Sequence, residues 1–275
     1  MKSNLLFRRA HDSRHRAFSR TDLAALIGVV ALLSLLVFPV LAREADSTER
    51  AVCLNNMQRI MAAVAMYSTD NNDFLPHPSW GSGLTGPDNW CYATRLPTGE
   101  SAPSAAGKGG PDAHTNQIPF FLAGQLARFL ENERVLVCPT DWRDSMGSKS
   151  FLYVGRAEKL TSYAMSGTVG GYVGPKAPAN ALGLKGKTFK ISDFLPTDML
   201  LFESNESESF YFNDAAANPE VVAEIVSRRH ELANGNGMSA VGRAGATADF
   251  VKYGRFWDLS RGQKPNELFC GPGYR

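Results

Sequence analysis

The sequence predicts an α+β protein in which one long N-terminal helix packs on a C-terminal antiparallel β-sheet domain. Residues 23–42 are apolar and uncharged, which predicts a transmembrane first half of that helix. Apolar residues then recur at three- and four-residue steps as far as residue 67, which predicts an amphipathic second half. After residue 134, short apolar runs alternate with turn signals, a pattern typical of antiparallel strands. A long helix followed by strands indicates the α+β class.

The apolar run from Leu23 to Ala42 reads LAALIGVVALLSLLVFPVLA. At about 1.5 Å per residue, a helix of this length spans roughly 30 Å, the thickness of the hydrocarbon core of a bilayer. Basic residues before the run favour a cytoplasmic N-terminus and a periplasmic remainder, in a single pass through a bacterial inner membrane. The alternative is a secretory signal peptide, whose apolar region is usually shorter. The basic residues are Lys2, Arg8, Arg9, Arg14, Arg16 and Arg20.

Three regions follow from length and composition. The chain has 275 residues, of which 44% are hydrophobic and 20% charged, enough for a helix and one sizeable domain. We expect a basic leader at residues 1–17, the long helix at 18–69 with its membrane span at about 23–42, and a periplasmic α+β domain at 70–275. A Gly/Ser/Pro-rich loop at about 77–116 belongs to that domain. The net charge of +2 argues against a nucleic-acid partner.

Residues 17–22, Ala-Phe-Ser-Arg-Thr-Asp, stand directly before the apolar run. This stretch resembles the N-terminus of type IV pilins and type II secretion pseudopilins, in which a basic leader is cut before a Phe. The resemblance implies cleavage by a prepilin peptidase between Ala17 and Phe18, with N-terminal methylation. It places Asp22 on the acidic position of the family and Pro39 on the proline that kinks many pilin helices, both with roles in assembly. The residues alone also allow Asp22 to be an ordinary helix N-terminal acid beside the cap Thr21.

Four cysteines, all after the apolar run, permit three disulfide pairings, and a periplasmic location would allow disulfides to form. None has the close spacing of a zinc knuckle, so a metal site is the weaker interpretation. Residues 53–76, CLNNMQRIMAAVAMYSTDNNDFLP, and the later Val-Cys-Pro at 137–139 resemble large pseudopilin-like families of planctomycetes and verrucomicrobia. That resemblance implies a bond between Cys53 and Cys138, which leaves Cys91 with Cys270.

The C-terminal part of the chain also resembles these families. There, Arg229-His230 precedes GMSAVGRAGATADFV at residues 237–251. In those families a His is followed by a spacer and an Asp-Gly hairpin. Here the Asp-Gly place reads Ala244-Gly245, and a two-residue hairpin would require a positive φ at Gly245. We interpret His230 as a packing or hydrogen-bonding residue rather than a ligand.

The remaining elements are predicted from apolar runs and breakers. The loop at 77–116 is expected to be anchored by Trp80, Trp90 and Cys91, although exposed Trp residues could also bind a carbohydrate. Helices are expected at residues 117–130 and 219–229. Strands are expected at residues 135–137, 151–154, 161–165, 199–202, 238–241 and 246–253.

No enzyme motif is present: the sequence has no Gly-x-Ser-x-Gly elbow, His-Glu-x-x-His or phosphate-binding glycine loop. We therefore predict a non-enzymatic protein without a cofactor. Glu203, Glu206, Glu208 and Asp214 cluster in LFESNESESFYFND, and they are weak candidates for calcium ligands or for a hydrolase pair. A solvated acidic loop is the commoner outcome.

The function implied by the resemblance is a pseudopilin-like structural subunit or adaptor of a type II secretion or type IV pilus-like assembly. Such a subunit packs through its hydrophobic helix against other pilin-like subunits, as a homo- or hetero-oligomer in or on the inner membrane. The alternative is a monomeric, membrane-anchored periplasmic binding protein for carbohydrate or calcium. A third interpretation is a membrane-anchored hydrolase that uses the acidic loop.

Overall fold

A computed structural model describes residues 20–80, 84, 86–146, 150–175, 187–230 and 237–275. The predicted leader and the cleavage pair Ala17 and Phe18 lie outside the described residues. The side chains of residues 35–46 and of Asp22 also lie outside the described part, although these residues belong to a helix. The predicted assembly roles of Asp22 and Pro39 therefore stay predictions.

The described residues form α-helices, strands and short 3-10 turns. The helices are α1 (Arg20–Asp70), α2 (Pro111–Thr115), α3 (Ile118–Leu122), α4 (Pro139–Asp141), α5 (Phe151–Gly155) and α6 (Tyr253–Arg261). The strands are β1 (Tyr163–Ser166), β2 (Met199–Glu203), β3 (Ala216–Ala217), β4 (Met238–Arg243) and β5 (Thr247–Lys252). The 3-10 turns are Ala127–Phe129, Glu133–Leu136, Gly167–Gly170, Ile191–Asp193 and Ser209–Phe212, and a π-helical turn spans Trp142–Met146.

The predicted membrane span is wrong. The apolar stretch that the structure describes with its side chains begins at Leu23 and is 12 residues long. Within the described ranges, no helix combines the length and the apolar character needed to cross a bilayer. The predicted fold class, with a transmembrane half-helix on a pilin-like domain, is therefore wrong. The predicted inner-membrane location is wrong for the same reason.

The chain divides into two compact units, with the boundary between Ala45 and Asp46. The described part of the first unit belongs to α1. The second unit, Asp46–Arg275, holds the rest of α1, the other helices and the sheet. The sections below on the core and the candidate site concern this second unit.

The sheet has five strands in the order β3-β1-β2-β4-β5. The pairs β1-β2, β2-β4 and β4-β5 are antiparallel, whereas β3 is parallel to β1. The prediction of a wholly antiparallel sheet is therefore wrong at one edge. The chain leaves β2 at Glu203, passes β1, and returns antiparallel to β2 on the far side of β1, which makes β3 parallel to β1.

The two faces of the sheet bury two separate apolar clusters. On one face, side chains of α1 pack against Tyr163, Met165 and Leu201 of the sheet. On the other face, Phe202 and Val241 pack against residues of α6 and of the C-terminal segment. The alternation of neighbouring strand residues between the two faces follows from the two-residue period of a strand. The buried residues of α1 in the first cluster are Cys53, Met57, Ile60, Met61, Ala63 and Val64.

Gly242 lies where β4 packs against Met61 of α1. A Cβ at this position would lie 2.5 Å from Cγ of Met61 and 3.0 Å from Cβ of Leu201. We expect Gly242→Ala to lower the free energy of unfolding by about 1–3 kcal/mol, because the buried side chain of Met61 or the helix that carries it must shift to make room. Urea unfolding measures this loss.

Gly254→Ala in α6 is the matched control, since a Cβ at Gly254 would meet nothing within 4 Å. This control should leave stability unchanged or raise it by up to about 1 kcal/mol, the helix-propensity difference between Gly and Ala. Equal stabilities of the two variants would contradict the close contact of α1 with β4.

The hairpin between β4 and β5 has a three-residue loop, since Arg243 pairs with Thr247. The prediction of a two-residue turn with a positive φ at Gly245 is wrong, because the left-handed residue is Ala246, with φ of 56°. Gly245 instead lies against Pro196, where it donates its backbone N–H to the carbonyl at 2.9 Å. A Cβ at Gly245 would lie 3.0 Å from Pro196. This glycine is explained by close packing.

Two predicted strands form turns instead. Residues 135–137 lie largely in the 3-10 turn Glu133–Leu136, in which Asn132 accepts the backbone N–H of Arg134. Residues 151–154 form α5, where Phe151 is largely exposed. An apolar run alone does not distinguish a strand from one helical turn, and neither segment has a strand partner in the described sheet.

Two predicted helices are also corrected. The helix expected at 219–229 is a series of turns. Asn205 donates its side-chain amide to the carbonyl of Ala223 and its backbone N–H to the carbonyl of Glu224, so these carbonyl groups are bound outside a helix. The helix expected at 117–130 is divided into α3 and the 3-10 turn Ala127–Phe129. Gly124 lies between them, close to the backbone of Cys91.

The long loop at 77–116 is held down by buried aromatic residues. Trp90 is fully buried and donates its indole N–H to the carbonyl of Ala215 at 2.8 Å. Trp80 stacks on Tyr172 with the ring centroids 4.8 Å apart. The loop also contains α2 and an isolated bridge between Arg95 and Ser101. Trp90 is thus an anchor, and its ring offers no surface to a carbohydrate.

Glu158 is a buried acid whose protonation should make stability depend on pH. Burial raises the pKa of its carboxyl group to about 8, although the backbone N–H groups of Leu160 and Thr161 bind one carboxylate oxygen. The other oxygen has no hydrogen-bond partner among the described residues. The folded chain therefore holds this proton more tightly than the unfolded chain, in which a Glu titrates near 4.3.

The contribution of Glu158 to stability is greatest below about pH 4.3 and is lost as the pH rises towards about 8. Glu158→Gln, which resembles the protonated acid, should flatten this part of the pH profile. We expect the urea midpoint of the wild-type chain to fall more between pH 5 and pH 9 than that of the variant. Parallel profiles would show that Glu158 does not carry the proton.

Candidate metal centre

Four potential metal ligands converge inside the second unit: Cys53, Cys138, Glu203 and His230. One donor atom from each, two thiol sulfurs, a carboxylate oxygen and an imidazole nitrogen, lie within 4.8 Å of one another. The residues are 0–1% exposed. Buried Cys and His side chains in such a group have the donor chemistry of a zinc site.

Each ligand comes from a different part of the fold. Cys53 lies on the buried face of α1, and Cys138 directly precedes α4. Glu203 is the last residue of β2, on the face that α1 covers. His230 follows the turns that lead from β3. A bound ion would therefore join a helix, a strand and two loops.

The distances within the cluster suit a four-coordinate ion. Sγ of Cys53 lies 2.9 Å from Oε1 of Glu203, and Nε2 of His230 lies 3.1 Å from the same oxygen. Sγ of Cys138 lies 3.7 Å from Nε2 of His230. In a tetrahedral zinc site with bonds of about 2.0–2.3 Å, neighbouring ligand atoms are about 3.3–3.8 Å apart. Small movements of these side chains would make room for the ion.

The electrostatics of the cluster favour one thiolate before any metal binds. The hydrogen bond from Cys53 and that to His230 lower the pKa of Cys138 to about 6, against the opposing effect of burial. Burial by itself lowers the pKa of His230, but its bonds to Cys138 and Glu203 raise that pKa to about 10. Burial raises the pKa of Cys53 well above its ordinary value. A metal that binds here would displace the thiol proton of Cys53 and a proton from Nε2 of His230.

Surrounding groups orient the ligands. The backbone N–H of Ala240 donates to Oε2 of Glu203 at 2.7 Å, which leaves Oε1 directed at Cys53 and His230. The hydroxyl of Tyr163 lies 3.2 Å from Sγ of Cys53. The imidazole of His230 meets the ring of Phe250 edge-on at 5.6 Å. Outer contacts of this kind fix the direction of metal ligands.

A buried ionic network supports the cluster from one side. Asp141 accepts two hydrogen bonds from Arg156, both at 3.0 Å, and lies 3.5 Å from Nε of Arg229. Ser162 donates to Asp141 at 2.6 Å and accepts the backbone N–H of Cys138 at 3.1 Å. Since Arg229 precedes His230 and Ser162 binds Cys138, the network holds the chain at two of the four ligands.

The structure brings Cys53 and Cys138, one of the two predicted cysteine pairs, close together. All four cysteines are buried free thiols, and Cys53 and Cys138 meet in the cluster. Cys91 donates its backbone N–H to Asn89, and Cys270 lies 3.9 Å from the carbonyl of Met199. The disulfide pairing implied by the resemblance, Cys53 with Cys138 and Cys91 with Cys270, stays a prediction.

Of the four acidic candidates for calcium, only Glu203 belongs to the cluster. Among the described residues, this cluster is the one place where three or more His, Cys, Asp or Glu ligand atoms converge. Glu206 accepts hydrogen bonds from Ser227 and Arg228, and Asp214 accepts the backbone N–H of Ala216. Glu208 is exposed. The sequence analysis interpreted His230 as a packing residue and did not place it beside Cys138. The Cys-Pro and Arg-His motifs that contain these two residues were the signals available for this site.

Comparisons of the chain with protein-family models, with curated proteins and with solved structures found no match.

Proposed function

We propose that this chain is a non-enzymatic zinc-binding protein in which one Zn²⁺ cross-links the core of the second unit. The observation that carries the proposal is the convergence of Cys53, Cys138, Glu203 and His230 at a buried point. Two thiolates favour a soft or borderline ion over calcium or magnesium, which prefer oxygen ligands. Among borderline ions, zinc accepts sulfur, nitrogen and oxygen in one tetrahedral shell.

A structural role fits the cluster better than a catalytic one. A catalytic zinc usually has three protein ligands and keeps its fourth position open for water or substrate. Here the chain supplies four ligands, and burial leaves their donor atoms without an open approach. Because the ligands come from separated segments, the free energy of metal binding becomes free energy of folding.

Cobalt substitution tests the ligand set. We expect the reduced, metal-free chain to bind one Co²⁺ with the absorption of tetrahedral coordination and a thiolate-to-cobalt charge-transfer band. Zn²⁺ should displace the cobalt. Cys53→Ala should lose most of the charge-transfer band, while Cys91→Ala, a buried cysteine outside the cluster, should retain it. A spectrum without charge-transfer absorption, or one unchanged in Cys53→Ala, would overturn the proposal.

A second candidate function is that of a subunit that assembles through α1. Aliphatic side chains at the start of α1 are 50–64% exposed, and apolar patches of this kind mark interaction surfaces. They would be covered by the same residues of other subunits in a homo- or hetero-oligomer, which is the association implied by the resemblance. The residues are Leu23, Leu26, Ile27, Val29, Val30, Leu32 and Leu33.

Sedimentation of the full chain tests this assembly. Ile27→Asp should shift the protein towards the monomer, because a charge would be buried between subunits. Leu195→Asp is the control, since Leu195 is a similarly exposed aliphatic residue in the second unit. A wild-type chain that sediments as a monomer would contradict assembly, and so would identical distributions for the two variants.

A further inference from the structure

A cleft of about 680 Å³ lies beside the metal centre, between α1, α2 and the segment from Asn132 to Trp142. Its volume is within the usual range of small-molecule sites. We propose that this cleft binds a small organic anion with a flat apolar body, such as an aromatic carboxylate. The proposal is independent of the zinc, and it rests on the apolar walls, an unpaired buried imidazole and two guanidinium groups.

Half of the residues that line the cleft are apolar. Val52 of α1 faces the cleft one residue before Cys53, and Ile118 of α3 and Val135 face it from the other sides. Trp142 also lines the cleft, with 41% of its surface exposed. An indole that is half in water and half against a cavity offers a flat surface to a planar ligand.

His114 supplies the polar contact that the protein leaves open. Its side chain lines the cleft and is 3% exposed, yet its Nε2 has no hydrogen-bond partner among the described residues. The imidazole meets Trp142 edge-on, with the ring centroids 5.1 Å apart. A buried polar atom without a partner costs free energy. A carboxylate that accepts from an Nε2 proton would remove this cost.

The charged lining favours an anion. Arg59 and Arg134 contribute two guanidinium groups to the cleft, against one carboxylate from Glu133. Arg59 also pairs with Glu131 at 2.6 Å at the rim. The guanidinium of Arg134 has no ion-pair partner among the residues that the structure describes. A guanidinium group suits a carboxylate because it can bind both oxygens at once.

Two fluorescent probes of nearly the same shape test the proposal. 8-Anilinonaphthalene-1-sulfonate has a flat aromatic body and an anionic group, and N-phenyl-1-naphthylamine has the body without the charge. We expect the sulfonate to bind the purified full chain at one saturable site, with or without added zinc, and benzoate to displace it. Arg134→Gln should weaken its binding about tenfold, as the loss of a charged hydrogen bond predicts.

The adjacent variant Glu133→Gln should strengthen sulfonate binding, since it removes the opposing charge. Neither substitution should change the binding of the neutral probe, whereas Trp142→Ala should weaken both probes. Arg261→Gln, at the exposed end of α6, is the control for a general loss of positive charge. Any probe bound to the apolar start of α1 is common to all variants and cancels in the comparison.

Absence of a saturable site in the wild-type chain would overturn the proposal. Equal loss of both probes in Arg134→Gln would also overturn it, because the charge would then have no specific role. Opposite effects of Arg134→Gln and Glu133→Gln on the sulfonate, with the neutral probe unchanged, would support it.

Discussion

Replacing Cys138 by alanine should remove the bound metal and, with it, about 4 kcal/mol or more of stability in excess zinc. A ligand at 1,000 times its dissociation constant stabilises the folded state by about 4.1 kcal/mol, and this term disappears when the ligand no longer binds. Cys138 has the lowest pKa of the thiols in the cluster and lies next to His230, so its loss removes the thiolate that is present before metal arrives. Urea unfolding with zinc and with a chelator measures the difference.

Cys270→Ala is the matched control. Cys270 is also a fully buried free thiol, but its sulfur lies near Met199, away from the cluster. Both variants lose the same atoms, so both pay the cost of a small cavity. The shift of the urea midpoint on adding zinc should persist in Cys270→Ala and vanish in Cys138→Ala. A zinc shift of the same size in both would show that Cys138 is no ligand.

Asp141→Asn should destabilise the chain by about 3–5 kcal/mol, because it leaves the buried guanidinium of Arg156 without its counter-charge and leaves Arg229 with Glu206 alone as an ion-pair partner. Asp141 is the acid that Arg156 and Arg229 share, and these side chains are 3–5% exposed. Arg156 also stacks on the ring of Phe212, with its guanidinium carbon 3.6 Å from the ring centroid, so it cannot turn into water without unpacking. Equilibrium unfolding measures the loss.

Asp144→Asn provides the comparison for an exposed pair. Asp144 binds Arg143 at 2.7 Å, but both side chains are more than half exposed. Exposed ion pairs contribute about 0–1 kcal/mol, so this variant should unfold close to the wild type. Similar losses in the two variants would contradict the burial of the Asp141 network.

Several strands could be predicted from sequence because their signals are local. Residues 199–202 are apolar and bounded by turn residues, and they lie in β2, which is buried on both faces. Gly245 lies in the loop that joins β4 to β5. The parallel edge strand β3 could not be predicted, because two alanines carry no periodicity and their place is set by pairing with β1. The strand predicted at Phe151 is wrong for the same reason, because an apolar run does not show whether the segment will pair with another strand.

The candidate metal centre could not be predicted because each of its four residues has a plausible local explanation. Cys53 and Cys138 suggested a disulfide, Glu203 an acidic loop and His230 packing. Nothing in their spacing indicates a common site, because they meet only when α1 covers the sheet at the end of β2. The sequence identified three of the four as candidates, but for different sites.

Metal analysis and X-ray absorption of the purified, reduced full chain test the zinc centre most directly. We expect one zinc per chain, with two sulfur neighbours at about 2.3 Å and two nitrogen or oxygen neighbours at about 2.0–2.2 Å. A chain that retains no zinc when zinc is supplied, or a shell without sulfur, would contradict the account.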